Sequence, residues 1–345
     1  VVTPAQVRSW GKHAHGSPLY AHLVEVIAAD DDLMAVINRI QHLPQVNLLL
    51  GAVHYLLLTG PDAELGGYYR SLVPTPVPAA QVDGAFREFV LSNEEPIVEI
   101  GNSQYTQTNE CKRCVALLPL VMTAGLDRFH IIDIGASAGL NLALDLYRYR
   151  WGDREWGSAE SQVTLVGESR GADFPLHDIE VLSRIGLDLD PIAPDDDESR
   201  NWLDALIWPE QVERRERLRA ALDLVAGIDL TLVEGDAVQT LPEVLAGLPA
   251  GEPAVVMDAF SLNQLSPAGR EEIERIAEEA RAGRQVFRVS MELLAVDDEW
   301  AKLAVADGPE LRPVGQAHPH GEWLELWPGR LRVRPGRTRG SRPRS

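Results

Sequence analysis

The residues best suited to chemistry in this chain cluster in Ile131-Ile132-Asp133-Ile134-Gly135-Ala136-Ser137-Ala138-Gly139-Leu140-Asn141. An apolar run ends near an acidic residue, Asp133, and then turns through small side chains. Glycine and alanine let a backbone come close to a ligand. A helix starting at Leu140 would add free N–H groups at its first turn. In open α/β sheets, ligands sit at the carboxyl ends of strands. A plain strand–turn–helix corner accounts for the same residues without a ligand. The dinucleotide pattern G-x-G-x-x-G is incomplete, because Ser137 stands where the middle glycine would approach a pyrophosphate, and no phosphate-loop Lys-Ser/Thr pair follows.

Further acidic strand ends follow in order. Asp188 lies in Ile185-Gly186-Leu187-Asp188-Leu189-Asp190-Pro191. Asp236 lies in Leu230-Thr231-Leu232-Val233-Glu234-Gly235-Asp236-Ala237. Asp258 ends Ala254-Val255-Val256-Met257 and precedes the polar Ser261, Asn263 and Gln264. Gly-Asp is also a common surface-turn dipeptide. Upstream, Glu110 and Arg113 stand ready as a structural ion pair or as ligand contacts, and Asn109 or Glu110 could cap a helix. His318, His320 and Glu322 form a polar cluster that fits a substrate contact or a solvated turn. They lack further ligands at metal-site spacing. Cys111 and Cys114 have no second cysteine pair for zinc and no thioredoxin context, so they read as packed apolar residues. No metal is expected, and Asp195-Asp196-Asp197-Glu198 reads as an exposed loop and helix start.

These residues need a framework. The chain is 45% hydrophobic and 24% charged, an ordinary globular balance. Two cysteines imply no disulfide framework, which fits a reducing cytoplasm. No apolar run is long enough for a transmembrane helix, and the opening residues lack a signal-peptide plan. A net charge of -20 repels phosphate backbones and anionic membranes, so nucleic acid is disfavoured and a small-molecule partner is expected. Oligomeric state is open.

Residues 1–90 carry helical spacing, as in Tyr20–Ile27 and Leu33–Ile37, and Asn47–Leu58 is apolar all round like a buried helix, stopped by Gly60-Pro61. Val73–Pro78 reads as a stiff linker. Further helices are expected at Phe86–Ser92, Cys111–Ala124, Leu140–Tyr147, Asn201–Ile207, Glu210–Leu224 and Arg270–Arg281. Strands are expected at Phe129–Ile134, Val163–Val166, Ile185–Leu189, Leu230–Val233, Ala254–Met257 and Gln285–Val289, with an antiparallel pair at Leu311–Val314 and Trp323–Trp327. Short apolar strands alternating with helices predict a mostly parallel sheet covered on both faces. Residues 91–330 would form this α/β core, with an insertion near 148–182 looping out. The Arg-rich residues 331–345 would form a disordered tail.

The D-I-G-A-S-A-G corner resembles the glycine loop of class I S-adenosylmethionine-dependent methyltransferases, with serine for the central glycine. The acidic strand ends at Asp188, Asp236 and Asp258 occur in that family's order. Within it, Asn109-Glu110-Cys111-Lys112-Arg113-Cys114, Gly139-Leu140-Asn141-Leu142, Trp208-Pro209-Glu210 and Pro319-His320-Gly321-Glu322-Trp323-Leu324-Glu325 resemble a bacterial and archaeal family, domain of unknown function 2332. That resemblance covers most of the chain except the tail. The segment Asp258-Ala259-Phe260-Ser261 departs from its pattern.

The resemblance implies a Rossmann-like, seven-stranded, mostly parallel sheet behind an N-terminal helical lid. It implies S-adenosylmethionine as cofactor. Asp133, Gly135, Ala136, Ser137, Gly139 and Asn141 would hold the methionine portion, with Arg113 on its carboxylate. Asp188 would hold the ribose, since a carboxylate accepts two hydrogen bonds from a vicinal diol, and Glu168 is its rival. Asp236 and Ala237 would meet adenine. Asp258 would be the general base, with Glu110, Asn263 and His320 facing the acceptor. The implied activity is methyl transfer to a small molecule. A non-catalytic cofactor-binding protein and an NAD(P)-dependent oxidoreductase are the alternatives.

Overall fold

The computed structural model describes residues 1–12, 16–60, 63–293 and 298–331. His13, His15, Pro61 and all but the first residue of the expected tail lie outside the described residues. Two compact units emerge. One joins residues 1–109 with 195–219, and the other joins 110–194 with 220–345.

The first unit begins with six helices: α1 (Pro4–Gly11), α2 (Pro18–Ala29), α3 (Asp31–Ile37), α4 (Gln45–Thr59), α5 (Asp83–Ser92) and α6 (Glu94–Ser103). Their starts follow local chemistry. Thr3 and Gln6 form a capping box, Ser17 accepts the Tyr20 N–H, and Asp30 accepts the N–H groups of Asp32 and Leu33. Their apolar faces close on one core that includes Leu23, Ile27, Leu33, Ile37, Leu49 and Phe86. Burial of such side chains contributes roughly 1.5–3 kcal/mol each.

The second unit opens with α7 (Cys114–Met122) and β1 (Arg128–Ile134). A short 3₁₀ turn, Leu140–Ala143, follows the glycine corner where a helix to Tyr147 was expected. The chain does not continue as a helix because it straightens into β2 (Arg148–Trp151), which begins five residues after Ala143. Next come β3 (Arg154–Trp156), β4 (Thr164–Gly171) and β5 (Glu180–Asp188). The chain then passes to the first unit through α8 (Asp197–Ala205) and the start of α9 (Val212–Ala226). It resumes with β6 (Thr231–Glu234), α10 (Ala237–Gly247), β7 (Ala254–Ala259), α11 (Pro267–Ala280), β8 (Val286–Glu292), β9 (Ala301–Ala306), β10 (Arg312–Ala317) and β11 (Trp323–Leu326).

The described strands form one sheet ordered β3-β2-β4-β11-β10-β9-β8-β7-β1-β5-β6. Eleven strands therefore replace the expected seven. The segment expected to loop out, 148–182, instead supplies β2, β3 and β4, and β4 joins the sheet by pairing with β11. Its signal was present in Arg148-Tyr149-Arg150-Trp151, whose aromatic residues alternate inward while Arg150 faces out.

The run β6-β5-β1-β7-β8 is parallel throughout. Numbered along the chain within that run, its order is 3-2-1-4-5, so winding reverses between β1 and β7. One face packs Ile132, Ile134, Val256 and Val286 on Leu241 and Leu245 of α10 and Ile273 and Ile276 of α11. Among the described residues, no helix is long and apolar enough to cross a membrane.

Within the first unit, α8 supplies two anchors. The Trp202 indole donates to the Tyr105 carbonyl at 3.0 Å, and its ring lies so close to Gly51 that a Cβ there would sit 3.1 Å away. Asp204 is buried against Arg215, with contacts of 2.6 and 2.8 Å, and also meets Arg219. Burial alone would raise the Asp204 carboxyl, but the Arg215 and Arg219 guanidinium groups hold it below its usual value. Its contribution to stability is therefore present above the unfolded carboxylate pKa of about 3.9 and is lost as pH falls below that. Asp204→Ala strands a buried guanidinium and is expected to cost about 3–5 kcal/mol. Arg219→Ala, at a half-exposed side chain, should cost less than about 1 kcal/mol. Urea unfolding of both variants checks the contrast.

Candidate functional site

Asp133 comes near the end of β1, one residue before the corner, and is 1% exposed. Its Oδ2 accepts the Asn141 side-chain N–H at 3.3 Å, while its Oδ1 has no hydrogen-bond partner among the described residues. Burial pushes its carboxyl well above the usual range, and the nearby Asp258 and Asp188 carboxylates add to the rise. The Asn141 bond and Arg113 oppose it. Asn141 also receives the Cys114 thiol at 3.6 Å, so that buried cysteine sits beside Asp133.

The corner itself is tightly wound. Gly135, Ser137 and Gly139 all have left-handed backbones, with φ of 76°, 49° and 75°. For Ser137 this conformation is strained. Most of the corner's N–H groups are already used. Gly135 and Ala136 donate to the Leu187 carbonyl at 2.7 and 3.2 Å, Gly139 donates to Ala136 at 2.8 Å, and Ser137 donates to Asp188 Oδ2 at 2.7 Å. Ala136 also packs against Gly186, where an added Cβ would approach the alanine to 2.6 Å.

Asp188 stands at the end of β5, beside β1. Besides Ser137 it accepts the Asp190 N–H at 2.9 Å, which leaves each oxygen a further lone pair. Its rival Glu168 lies on β4, with β11, β10, β9, β8 and β7 between it and β1, and it is engaged by Arg170. Asp236 caps α10 by accepting the Val238 N–H at 2.8 Å, and Ala237 is that helix's first residue. Gly235, just before it, donates to the Asp188 carbonyl at 2.8 Å. The ends of β1, β5 and β6 are thus tied together, and with them Asp133, Asp188 and Asp236.

Arg113 is buried. It donates to the carbonyls of Pro319 at 3.2 Å and Ala259 at 3.4 Å, and its guanidinium lies 4.2 Å over the Phe260 ring. Phe260 has a φ of 62°, so the chain bends sharply after β7. Glu110 is buried, with His320 Nδ1 at 4.0 Å from its Oε2. Lys112 reaches Glu322 at 2.5 Å. Gly321 packs so tightly on Lys112 that a Cβ would come within 2.0 Å of its carbonyl oxygen. Arg113, Glu110 and His320 therefore belong to one assembly, built from the segment before α7 and the turn between β10 and β11.

Asp258 differs from Asp133 in direction. Ile134, not Asp133, is its neighbour across the β1–β7 pair, and successive side chains alternate faces. Asp258 therefore faces α11. Arg288 Nη2 donates to its Oδ1 and Ser290 Oγ to its Oδ2, both at 2.6 Å. Burial pushes its carboxyl up, against the opposing pull of Arg288. The sequence reading passed over its partners Arg288 and Ser290, and also Glu292, although Arg288-Val289-Ser290-Met291-Glu292 places them at alternate positions of an apolar strand.

Glu292 accepts the N–H groups of Ser261 and Leu262 at 2.8 Å and that of Asn263 at 3.2 Å. It is 1% exposed. Burial, with Asp258 nearby, pushes its carboxyl up to about 7. Asn263 is thus held by its backbone, and Ser261 Oγ donates to the Ile134 carbonyl at 2.5 Å. Among the described residues, no group of three or more His, Cys, Asp or Glu could hold a metal ion.

Two outcomes follow. A Cβ on Gly135 would lie 2.3 Å from the Ser261 Cβ. Gly135→Ala should therefore cost about 1–3 kcal/mol or more, and adding Ser261→Gly should restore part of that in thermal melts. Glu292 has a raised folded pKa, so its favourable contribution is full below its unfolded value, 4.5, and is lost as pH rises through about 7. Glu292→Gln should remove that fall, as read from unfolding free energies between these pH values.

No curated protein matches the chain. A family model described as an uncharacterized protein conserved in bacteria (DUF2332) matches residues 5–327. With the match running from α1 to just past β11, the chain belongs to that bacterial family.

Proposed function

We propose that this protein is an S-adenosylmethionine-dependent methyltransferase acting on a small molecule, with the cofactor at the carboxyl ends of β1, β5 and β6. The observation that carries the reading is the buried Asp133 carboxyl with one oxygen lacking a partner among the described residues. It lies beside the reversal of winding, where open α/β sheets take their ligands. A buried carboxyl with unused acceptor capacity suits a cation.

The charge and the hydrogen bonding of the corner separate the candidate cofactors. A pyrophosphate needs free N–H donors at the turn and no carboxylate facing it. Here the N–H groups of Gly135, Ala136, Ser137 and Gly139 are committed within the protein, and Asp133 and Asp188 flank them. A ligand carrying a sulfonium and an ammonium group meets the opposite balance. Such residues fit S-adenosylmethionine better than a dinucleotide.

When bound, the cofactor supplies a methyl group already activated on sulfur. Asp133 would hold the ammonium group. Asp188 would accept from the ribose hydroxyls with its remaining lone pairs, and Asp236 with Ala237 would border the adenine. Arg113 would close the β7 side through its carbonyl bonds and the Phe260 ring. Asp258, with both oxygens bonded, would stiffen the end of β7. Removal of a proton from the acceptor would then fall to His320, positioned by Glu110.

Calorimetric titration with S-adenosylhomocysteine tests the reading. Saturable binding in the micromolar range is expected, weakened about tenfold to a hundredfold by Asp133→Asn. Asp133 must ionise to meet an ammonium, so affinity should rise with pH in the unsubstituted protein and be flat in Asp133→Asn. Absence of binding at millimolar ligand would overturn the proposal.

A further inference from the structure

On the α11 face of the sheet lies a groove of about 640 Å³, continued by a second of about 410 Å³; Ser290, Glu292 and Leu311 line both. Nothing in the proposed methyl-transfer site uses it, since Asp133 points to the other face. Leu262, Pro309 and Leu311 give it apolar walls, and Trp327 adds an aromatic ring in the second part. Its inner wall is acidic.

Charge there is uneven. Asp258 from β7 and Glu274 from α11 meet on one buried guanidinium, Arg288, and Glu292 from β8 stands near Asp258. Arg288 donates to Asp258 at 2.6 Å and to Glu274 Oε1 at 3.0 Å. It makes no such bond to Glu292. Glu274 Oε2 is buried without a hydrogen-bond partner among the described residues. Oε1 of Glu292 carries two amide bonds, but Oε2 carries one, at 3.2 Å, and keeps acceptor capacity.

Of the other cations that line the groove, Lys302, Arg275 and Arg270 have partners elsewhere, while Arg330 borders its second part. Lys302 stands across from Glu292 on β9, yet its ammonium lies 3.6 Å from Asp298. Arg275 is held by Glu272 and Glu279, and Arg270 donates to the Leu265 carbonyl.

We propose that this groove binds an organic cation: a primary ammonium carrying an apolar body, with the ammonium seated between Glu274 and Glu292. The ammonium supplies the donors these oxygens lack, and the apolar body covers Leu262, Pro309 and Leu311. An aromatic wall favours a cation further. Occupancy would reach the corner of the sheet, because Glu292 holds the amide of Ser261, and Ser261 packs on Gly135.

The probe is phenethylamine, with 2-phenylethanol as its uncharged counterpart, titrated calorimetrically into the full chain. Saturable amine binding is expected, with the alcohol at least about tenfold weaker. Because a cation favours ionised Glu292, whose carboxyl titrates at about 7, amine affinity should be about tenfold higher at pH 8 than at pH 6. Glu274→Gln keeps the acceptor for Arg288 and removes the charge, and it should weaken the amine by about tenfold. Equal affinity for amine and alcohol, no amine binding, or an amine affinity independent of pH would each overturn the proposal. The pH series needs no variant, so it decides the matter even if Glu274→Gln unfolds. Binding of S-adenosylhomocysteine that Asp133→Asn weakens reports on the other site, because Asp133 faces away from the groove.

Discussion

The carboxyl edge of the sheet depends on how Glu292 holds the chain after β7. One buried side chain gathers three consecutive backbone amides, Ser261, Leu262 and Asn263. Just before them Phe260 takes a left-handed backbone and turns the chain off the strand. Arg113 stacks over the Phe260 ring and fastens the bend from the other side. With the bend fixed, Ser261 reaches the Ile134 carbonyl and fills the space that a side chain on Gly135 would need. The shape of the glycine corner is therefore set as much by β8 as by its own residues.

Buried charge is the second organising fact. The sheet's edge concentrates carboxylates, yet few arginines enter it. Arg113 donates to the Pro319 and Ala259 carbonyls, and Arg288 serves carboxylates on the opposite face. Burial therefore dominates and pushes Asp133, Asp258 and Glu292 upward together. Groups of this kind gain most from an arriving positive charge, and the two sites argued above share that logic on opposite faces of one sheet.

Much of this was legible in the sequence. The apolar runs at Phe129–Ile134, Ile185–Leu189, Leu230–Val233, Ala254–Met257 and Gln285–Val289 became the five parallel strands, and three of them, β1, β7 and β8, are buried on both faces as their near-continuous apolar stretches predict. Asp133 and Asp188 stood out as acids at strand ends. What the sequence hid was direction and pairing. Strand alternation turns Asp133 and Asp258 to opposite faces, and that depends on register, which no local pattern states. The extension through β2, β3 and β4 rests on β11 accepting a parallel neighbour, a contact between residues far apart in the chain. Glu292 was missed because an acid within an apolar strand looks like a solvent-facing position until its amide partners, some thirty residues earlier, are known.

The path of the chain has a consequence for how the protein comes into being. The helical unit holds residues 1–109 and is completed by 195–219, which bring Trp202 and the Asp204–Arg215 pair. During synthesis, α1 to α6 emerge from the ribosome long before those partners exist. Until then Gly51 faces no indole and the Tyr105 carbonyl has no donor. The nascent helices must wait while β1 to β5 are made, and a single cut in the gene can liberate neither unit intact.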